Sequence, residues 1–93
     1  MKNGLIEVGH GNYMWYKDDK LHRLDGPAAI HRCGSKLWWV NGKRHREDGP
    51  AAEFFNGEIR WYFYDIEYSL NDWLKNHPTM TDSEKVLFKL IWG

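Results

Sequence analysis

The sequence predicts a mainly β protein in which three tandem 23-residue β-hairpin repeats form an antiparallel meander and two short α-helices follow. The decapeptide KLHRLDGPAA at 20–29 recurs as KRHREDGPAA at 43–52. Trp15, Trp38 and Trp61 recur with the same 23-residue period, and a glycine precedes each of them by four residues. After these repeats the strand-like pattern ends and two helix-start signatures appear.

The chain is predicted to be a single domain over residues 1–93, with repeats at 5–27, 28–50 and 51–73 and a helical cap at 69–93. The third copy keeps its glycine and the aromatic run WYFY, but it reads IEYSLNDW where the decapeptide motif should recur. A terminal repeat has no successor to pack on, and a degenerate last copy is typical of such a cap.

Turn residues divide each repeat into strands. In the second copy, AAIHR and KLWWV are separated by CGS, and Asn41-Gly42 follows. Asn-Gly is typical of the two central positions of a type I′ hairpin turn, and Asn56-Gly57 suggests the same turn in the third copy. In the motif, Asp-Gly-Pro predicts a further turn in which Gly26 or Gly49 supplies a positive φ. We expect about six strands over residues 5–65.

Strand alternation places aromatic side chains on both faces of the sheet. One face carries Trp15, Trp38 and Trp61, which we expect to be equivalent, stacked and buried; the other carries Tyr16, Trp39 and Tyr62. A thin sheet cannot bury both faces on itself. The second face must be covered by the C-terminal segment, by another copy of the protein or by a ligand.

Two segments predict the helices. SLND at 69–72 and TDSE at 81–84 have the spacing of capping boxes. The first helix would stop near Pro78, and the second would carry four aliphatic residues on one side: Val86, Leu87, Leu90 and Ile91. We expect these helices to form a lid over the sheet, and the last helix can alternatively serve as a dimer contact.

The repeated His-Arg pair has two explanations. Arg23 and Arg46 can pair with Asp25 and Asp48 in a structural ladder. Alternatively, the pairs can project from the sheet edge beside aromatic rings and bind an anionic aromatic ligand or a partner protein. The predicted ligand- or partner-binding residues are His22, Arg23, His45, Arg46, Tyr16, Trp39, Tyr62 and Arg60.

Composition excludes several function classes. Lys+Arg and Asp+Glu number 13 each, so there is no basic surplus for a dedicated nucleic-acid binder. One cysteine, Cys33, allows no intramolecular disulfide and favours a reducing compartment. No signal peptide or membrane-spanning stretch is evident, which predicts a cytoplasmic protein without membrane contact. No nucleophile–base pair or metal-ligand spacing occurs, so we expect neither an enzyme nor a cofactor.

The segment WWVNGKRH at 38–45 resembles the MORN repeat, which has an aromatic pair, an Asn/Asp-Gly-Lys turn and a following His-Gly. The chain departs from that pattern at HRxDGPA, a variant that is similar to small repeat proteins of bacteriophages and large viruses, often closing on a YS…W segment such as Tyr68–Trp73. The resemblance covers about residues 5–73. It implies stacked hairpins and a phage protein in the host cytoplasm. Such a protein would act in counter-defence by sequestering a nucleotide-type ligand at oligomer interfaces; the alternative is a protein inhibitor or adaptor with an exposed aromatic and arginine face.

Overall fold

A computed structural model describes residues 2–93. It contains ten strands: β1 (Gly4–Glu7), β2 (Tyr13–Lys17), β3 (Lys20–Leu21), β4 (Ala29–Ile30), β5 (Lys36–Leu37), β6 (Trp39–Val40), β7 (Lys43–Arg44), β8 (Ala52–Glu53), β9 (Ile59–Phe63) and β10 (Ile66–Tyr68). Two helices follow, α1 (Leu70–Lys75) and α2 (Asp82–Trp92). The prediction of a mainly antiparallel β fold with two C-terminal helices is confirmed.

The main sheet has the strand order β1-β2-β4-β5-β8-β9-β10, and every pairing in it is antiparallel. Strand β3 pairs with β2 outside this order, and β6 and β7 form a separate two-stranded ribbon. Nine short strands lie in the region up to Phe63, where about six were expected, because the aromatic strands divide their pairing. In β2, for example, Tyr13 and Met14 pair with β4, whereas Tyr16 and Lys17 pair with β3. The second half of each aromatic strand therefore forms a hairpin arm.

The turn at the tip of each arm recurs with the 23-residue period of the sequence. Both central residues have a positive φ at Asp18-Asp19 (50° and 65°), Asn41-Gly42 (50° and 79°) and Tyr64-Asp65 (46° and 70°). Two successive positive φ angles define the type I′ turn, whose twist matches that of the flanking strands. The prediction for Asn41-Gly42 is confirmed, and the same backbone forms in the other two arms without an Asn-Gly pair.

The prediction of a type I′ turn at Asn56-Gly57 is wrong. Only the glycine has a positive φ, of 88°, and it corresponds to Gly34 in the loop between β4 and β5. The loop between β8 and β9, which contains Gly57, is closed by the backbone N–H of Phe54, which donates to the carbonyl oxygen of Glu58 at 2.8 Å. Longer hairpin loops are commonly built from a type I turn followed by one left-handed residue, so a single glycine is sufficient here.

The aromatic core lies at the C-terminal end. Trp61, Phe63, Trp73 and Leu74 are buried, and the ring of Trp73, which is fully buried, stacks on Phe63 at 5.1 Å between centroids. The expectation of three equivalent buried tryptophans is wrong in part. Trp61 is buried beneath the helices, whereas Trp15 and Trp38 are half-buried and, among residues 2–93, are covered by arginine side chains and not by aromatic rings.

Both helices begin at the predicted residues. Thr81 and Glu84 form a complete capping box, in which each side chain accepts a hydrogen bond from the other residue's backbone N–H. Ser69 accepts from the backbone N–H of Asp72 and acts as a simple N-cap. No helix among residues 2–93 is both long enough and apolar enough to cross a bilayer.

The N-terminal segment closes the opposite end of the stack of arms. The backbone N–H of Asp19 donates to the carbonyl of Lys2, as that of Asp65 donates to the carbonyl of Arg44. The ammonium group of Lys2 lies 5.1 Å from the centroid of Tyr16, and the guanidinium of Arg44 lies 4.5 Å from that of Tyr62. Lys2 therefore makes the same contacts with the first arm that Arg44, from the second arm, makes with the third arm.

Candidate functional site

The motif arginines lie flat on tryptophans of their own repeats. Cζ of Arg23 is 4.0 Å from the ring centroid of Trp15, and Cζ of Arg46 is 3.8 Å from that of Trp38. At these distances the guanidinium covers the ring and gains a cation–π attraction. Arg23 and Arg46 thus contact Trp15 and Trp38. The ligand-binding explanation placed them beside Tyr16 and Trp39, on the opposite face of the sheet, and this placement is wrong.

Each guanidinium is also bound within its motif. Arg46 donates from Nε to Asp48 at 2.7 Å, and from Nη1 to the carbonyl of Pro50 and to Glu53, both at 3.0 Å. Arg23 makes the first two contacts in the same way, with Asp25 at 2.9 Å and the carbonyl of Pro27 at 3.2 Å. The ion pairs that the structural explanation predicted, Arg23 with Asp25 and Arg46 with Asp48, are therefore present.

The motif glycines make room for these arginines. A Cβ added at Gly49 would lie 2.6 Å from Cζ of Arg46, and one added at Gly26 would lie 2.9 Å from Cζ of Arg23. Neither glycine has a positive φ, so the expectation that the motif turn needs one is wrong. Glycine is needed because the guanidinium packs against its Cα.

The motif histidines link each repeat to the next. Nδ1 of His22 accepts from the backbone N–H of Asn41 at 2.9 Å, and Nδ1 of His45 accepts from that of Tyr64 at 3.2 Å. His45 is 6% exposed; its ring stacks on Tyr64 at 4.0 Å and its Nε2 lies 3.0 Å from Glu47. Each acceptor satisfies the first amide of the following type I′ turn, which explains why the last copy needs no histidine.

A second set of side chains performs the same task at the other end of the sheet. Oδ1 of Asn12 accepts from the backbone N–H of Arg32 at 2.9 Å, and Oγ of Ser35 accepts from that of Phe55 at 3.1 Å. Sequence reasoning missed both residues because their types differ. The available signal was their 23-residue spacing, one position after the glycine of each loop.

Three of the four remaining predicted binding residues, Tyr62, Tyr16 and Arg60, contact charged side chains. Tyr62 is 9% exposed and its hydroxyl accepts from Nη1 of Arg44 at 3.3 Å, while Tyr16 contacts Lys2. Trp39 is half-buried, and its buried Nε1 has no hydrogen-bond partner among the described residues. Arg60 is exposed and pairs with Glu58 and Glu67, and these hydrogen bonds raise its pKa.

A groove of about 440 Å³ lies between the two motif copies. It brings together three predicted residues, Arg23, His45 and Arg46, with Trp38 among its walls; the other five predicted residues do not line it. Three carboxylates line it as well: Asp25, Glu47 and Asp48. The Arg23 hydrogen bond holds the pKa of Asp25 below its ordinary value, so this carboxylate stays charged and opposes an anion.

The two sides of α2 are both apolar. Phe88 and Trp92 pack against Trp61 with centroid separations of 5.7 and 5.6 Å. The opposite side, called the outer face here, consists of Val86, Leu87, Leu90 and Ile91. These four side chains are 62%, 62%, 78% and 77% exposed. The sequence grouped them correctly on one side, but the core contact uses the other side, so the lid leaves the outer face uncovered.

Comparisons with protein-family models, with curated proteins and with solved structures find no match for this chain. The resemblance to the MORN repeat therefore stays a prediction from the sequence. Within residues 2–93, no three potential metal ligands of the His, Cys, Asp or Glu type come together.

Proposed function

We propose that the protein is a non-enzymatic binding module whose contact surface for a partner protein is the outer face of α2. The observation that carries this proposal is the exposure of 62–78% at four adjacent aliphatic side chains on one helix. Scattered apolar residues are ordinary on a protein surface, but a contiguous patch on a helix is typical of an interaction site. The helical partner-binding mode uses apolar anchors at i, i+3, i+4 and i+7, and Leu87, Leu90 and Ile91 supply the first three of these positions.

The inner contacts support this role. Phe88 and Trp92 hold α2 on the aromatic core, and the capping box at Thr81 fixes its first turn. A helix that is already ordered loses little conformational freedom on association, so more of its buried area contributes to affinity. The arginines expected in the contact face are instead bound within their motifs, which shifts the proposed surface from the sheet to the helix.

A photo-crosslinking experiment tests the surface. A benzophenone amino acid is placed at Leu87 and, as the matched control, at Leu24, an isolated leucine on the motif turn that is 80% exposed. After irradiation in lysate of the source cells, we expect a discrete protein adduct from position 87 and none from position 24. The same adducts from both positions, or none from either, would contradict the proposal.

A nucleotide-type anionic ligand, sequestered as in counter-defence, is the second candidate. The groove between the motif copies favours it, because its volume of about 440 Å³ is in the usual range of ligand sites and Trp38 supplies a ring. The three carboxylates in the same groove disfavour it. Titration of mononucleotides and cyclic nucleotides, followed by the indole N–H signal of Trp38 in NMR spectra, tests this candidate. A saturable shift that disappears in Arg46→Ala with its fold retained would support it, and an unchanged signal would exclude those ligands.

A further inference from the structure

We propose that the outer face of α2 binds the same face of a second copy, with the two helices antiparallel about a two-fold axis. This inference rests on the proposed function, since it names the partner of that surface. It follows from the size of the patch, from its charged edge and from the way the helix is held.

The area of the patch suits a weak dimer. Two copies contribute eight aliphatic side chains that are 62–78% exposed. Burying them removes roughly 350–700 Å² of apolar surface, estimated from the transfer energy of aliphatic side chains and the usual energy per unit area. Apolar atoms form about 65% of a homodimer interface, so the total reaches roughly 500–1,000 Å². This area lies at or below the roughly 1,000 Å² expected of a specific interface, so the dimer is a weak one that should dissociate on dilution.

Charge complementarity selects the antiparallel arrangement. Asp82 and Lys89 are seven residues apart, which places them nearly two turns apart along one edge of the outer face. A two-fold axis perpendicular to both helices places this edge beside the same edge of the second copy, which runs in the opposite direction. If the axis passes between the levels of Lys85 and Val86, each Asp82 lies beside Lys89 of the second copy. Neither residue forms an ion pair within residues 2–93, so both are free to do so.

Side-chain size fits the same register. Ser83 is the one small residue in the sector of the outer face, and it lies one turn before Leu87. The antiparallel register that joins Asp82 to Lys89 also sets Ser83 nearly level with Leu87 of the second copy. A small residue opposite a large one lets two helices interdigitate. The opposed helix dipoles add a favourable electrostatic contribution.

Sedimentation equilibrium from micromolar to millimolar concentration tests the proposal. We expect the parent protein to dimerise reversibly. Leu90→Glu should raise the dimer dissociation constant roughly 100-fold or more, because it would bury an unpaired carboxylate. The melting curve of dilute monomer should be unchanged, since Leu90 is 78% exposed and makes no core contact. A parent protein that stays monomeric, or a dimer indifferent to Leu90→Glu, would overturn the proposal.

A charge swap tests the arrangement of the helices. Asp82→Lys and Lys89→Asp should each weaken the dimer roughly threefold to tenfold, since each change affects two symmetric exposed pairs. The double variant should restore the parent dissociation constant. Circular dichroism of the monomers corrects for any loss of helix caused by a cation in its first turn. A double variant no tighter than the single ones would overturn the antiparallel arrangement.

The two proposals fail in different ways. If the parent protein is monomeric but the label at Leu87 joins a different protein, the second copy is excluded and the contact surface stands. If the protein is monomeric and position 87 gives no adduct, both are excluded. A crosslinked homodimer at position 87, together with a dimer that Leu90→Glu dissociates, supports both.

Discussion

Gly49→Ala should destabilise the protein through Arg46 alone. The added Cβ would lie 2.6 Å from Cζ of Arg46, so the guanidinium must leave its place on Trp38. Its hydrogen bond to the Pro50 carbonyl is then lost, at about 1.5–3 kcal/mol for a charged donor. The cation–π contact adds about 0.5–1 kcal/mol. The pair with Asp48 adds little, because that carboxylate is 85% exposed. The expected loss is about 2–4 kcal/mol.

A double-mutant cycle isolates this effect. The Arg46→Ala background removes the three atoms nearest to the added Cβ, and Gly49 has no positive φ. Gly49→Ala should then stabilise the protein by about 0.4–1 kcal/mol, because alanine has less freedom in the unfolded chain. The assay is urea unfolding of the parent, both single variants and the double variant. If Gly49→Ala lowers the free energy of unfolding equally with and without Arg46, the glycine is needed for a reason other than its contact with the guanidinium.

Three further predictions concern other contacts. His45→Ala leaves the backbone N–H of Tyr64 without its acceptor and removes the stacked ring, so unfolding curves should show a loss of about 2–4 kcal/mol. Trp73→Ala should cost about 3–5 kcal/mol, and Trp38→Ala clearly less because that ring is half-buried; equal losses would contradict the position of the core. The backbone and side-chain N–H groups of Arg44 hold the pKa of Asp65 below its ordinary value. The stability that Asp65 contributes is therefore present above about pH 4 and lost as the pH falls through its folded-state pKa, so Asp65→Asn should unfold with less dependence on pH below 4.

The 23-residue spacing and the turn residues were sufficient to predict the strand-rich region, the arm turn at Asn41-Gly42 and the starts of both helices. They could not show how the chain divides each aromatic strand between two pairings. That division depends on contacts between repeats, such as the bond from the backbone N–H of Trp38 to the carbonyl of Ala51. Local propensity contains no information about such contacts.

The role of the motif was harder to predict than its structure. Arginine beside aromatic residues is consistent with both a ligand site and internal packing, and the choice depends on which ring lies within reach. The structure brings Trp15 under Arg23, whose Nε donates to Asp25 and whose Nη1 donates to the carbonyl of Pro27. The apolar side of α2 was visible in the sequence, but periodicity alone cannot tell which of two apolar sides faces the core.

The arginines of the repeated decapeptide are bound within the motif and stabilise the fold. Urea unfolding of the variant Arg23→Ala/Arg46→Ala measures this contribution. We expect a loss of roughly 3–6 kcal/mol, a large part of the 5–15 kcal/mol typical of a domain, with the larger share from Arg46 because it also binds Glu53. An unfolding curve that matches that of the parent protein would contradict a structural role for Arg23 and Arg46, and both would again be candidates for ligand contacts.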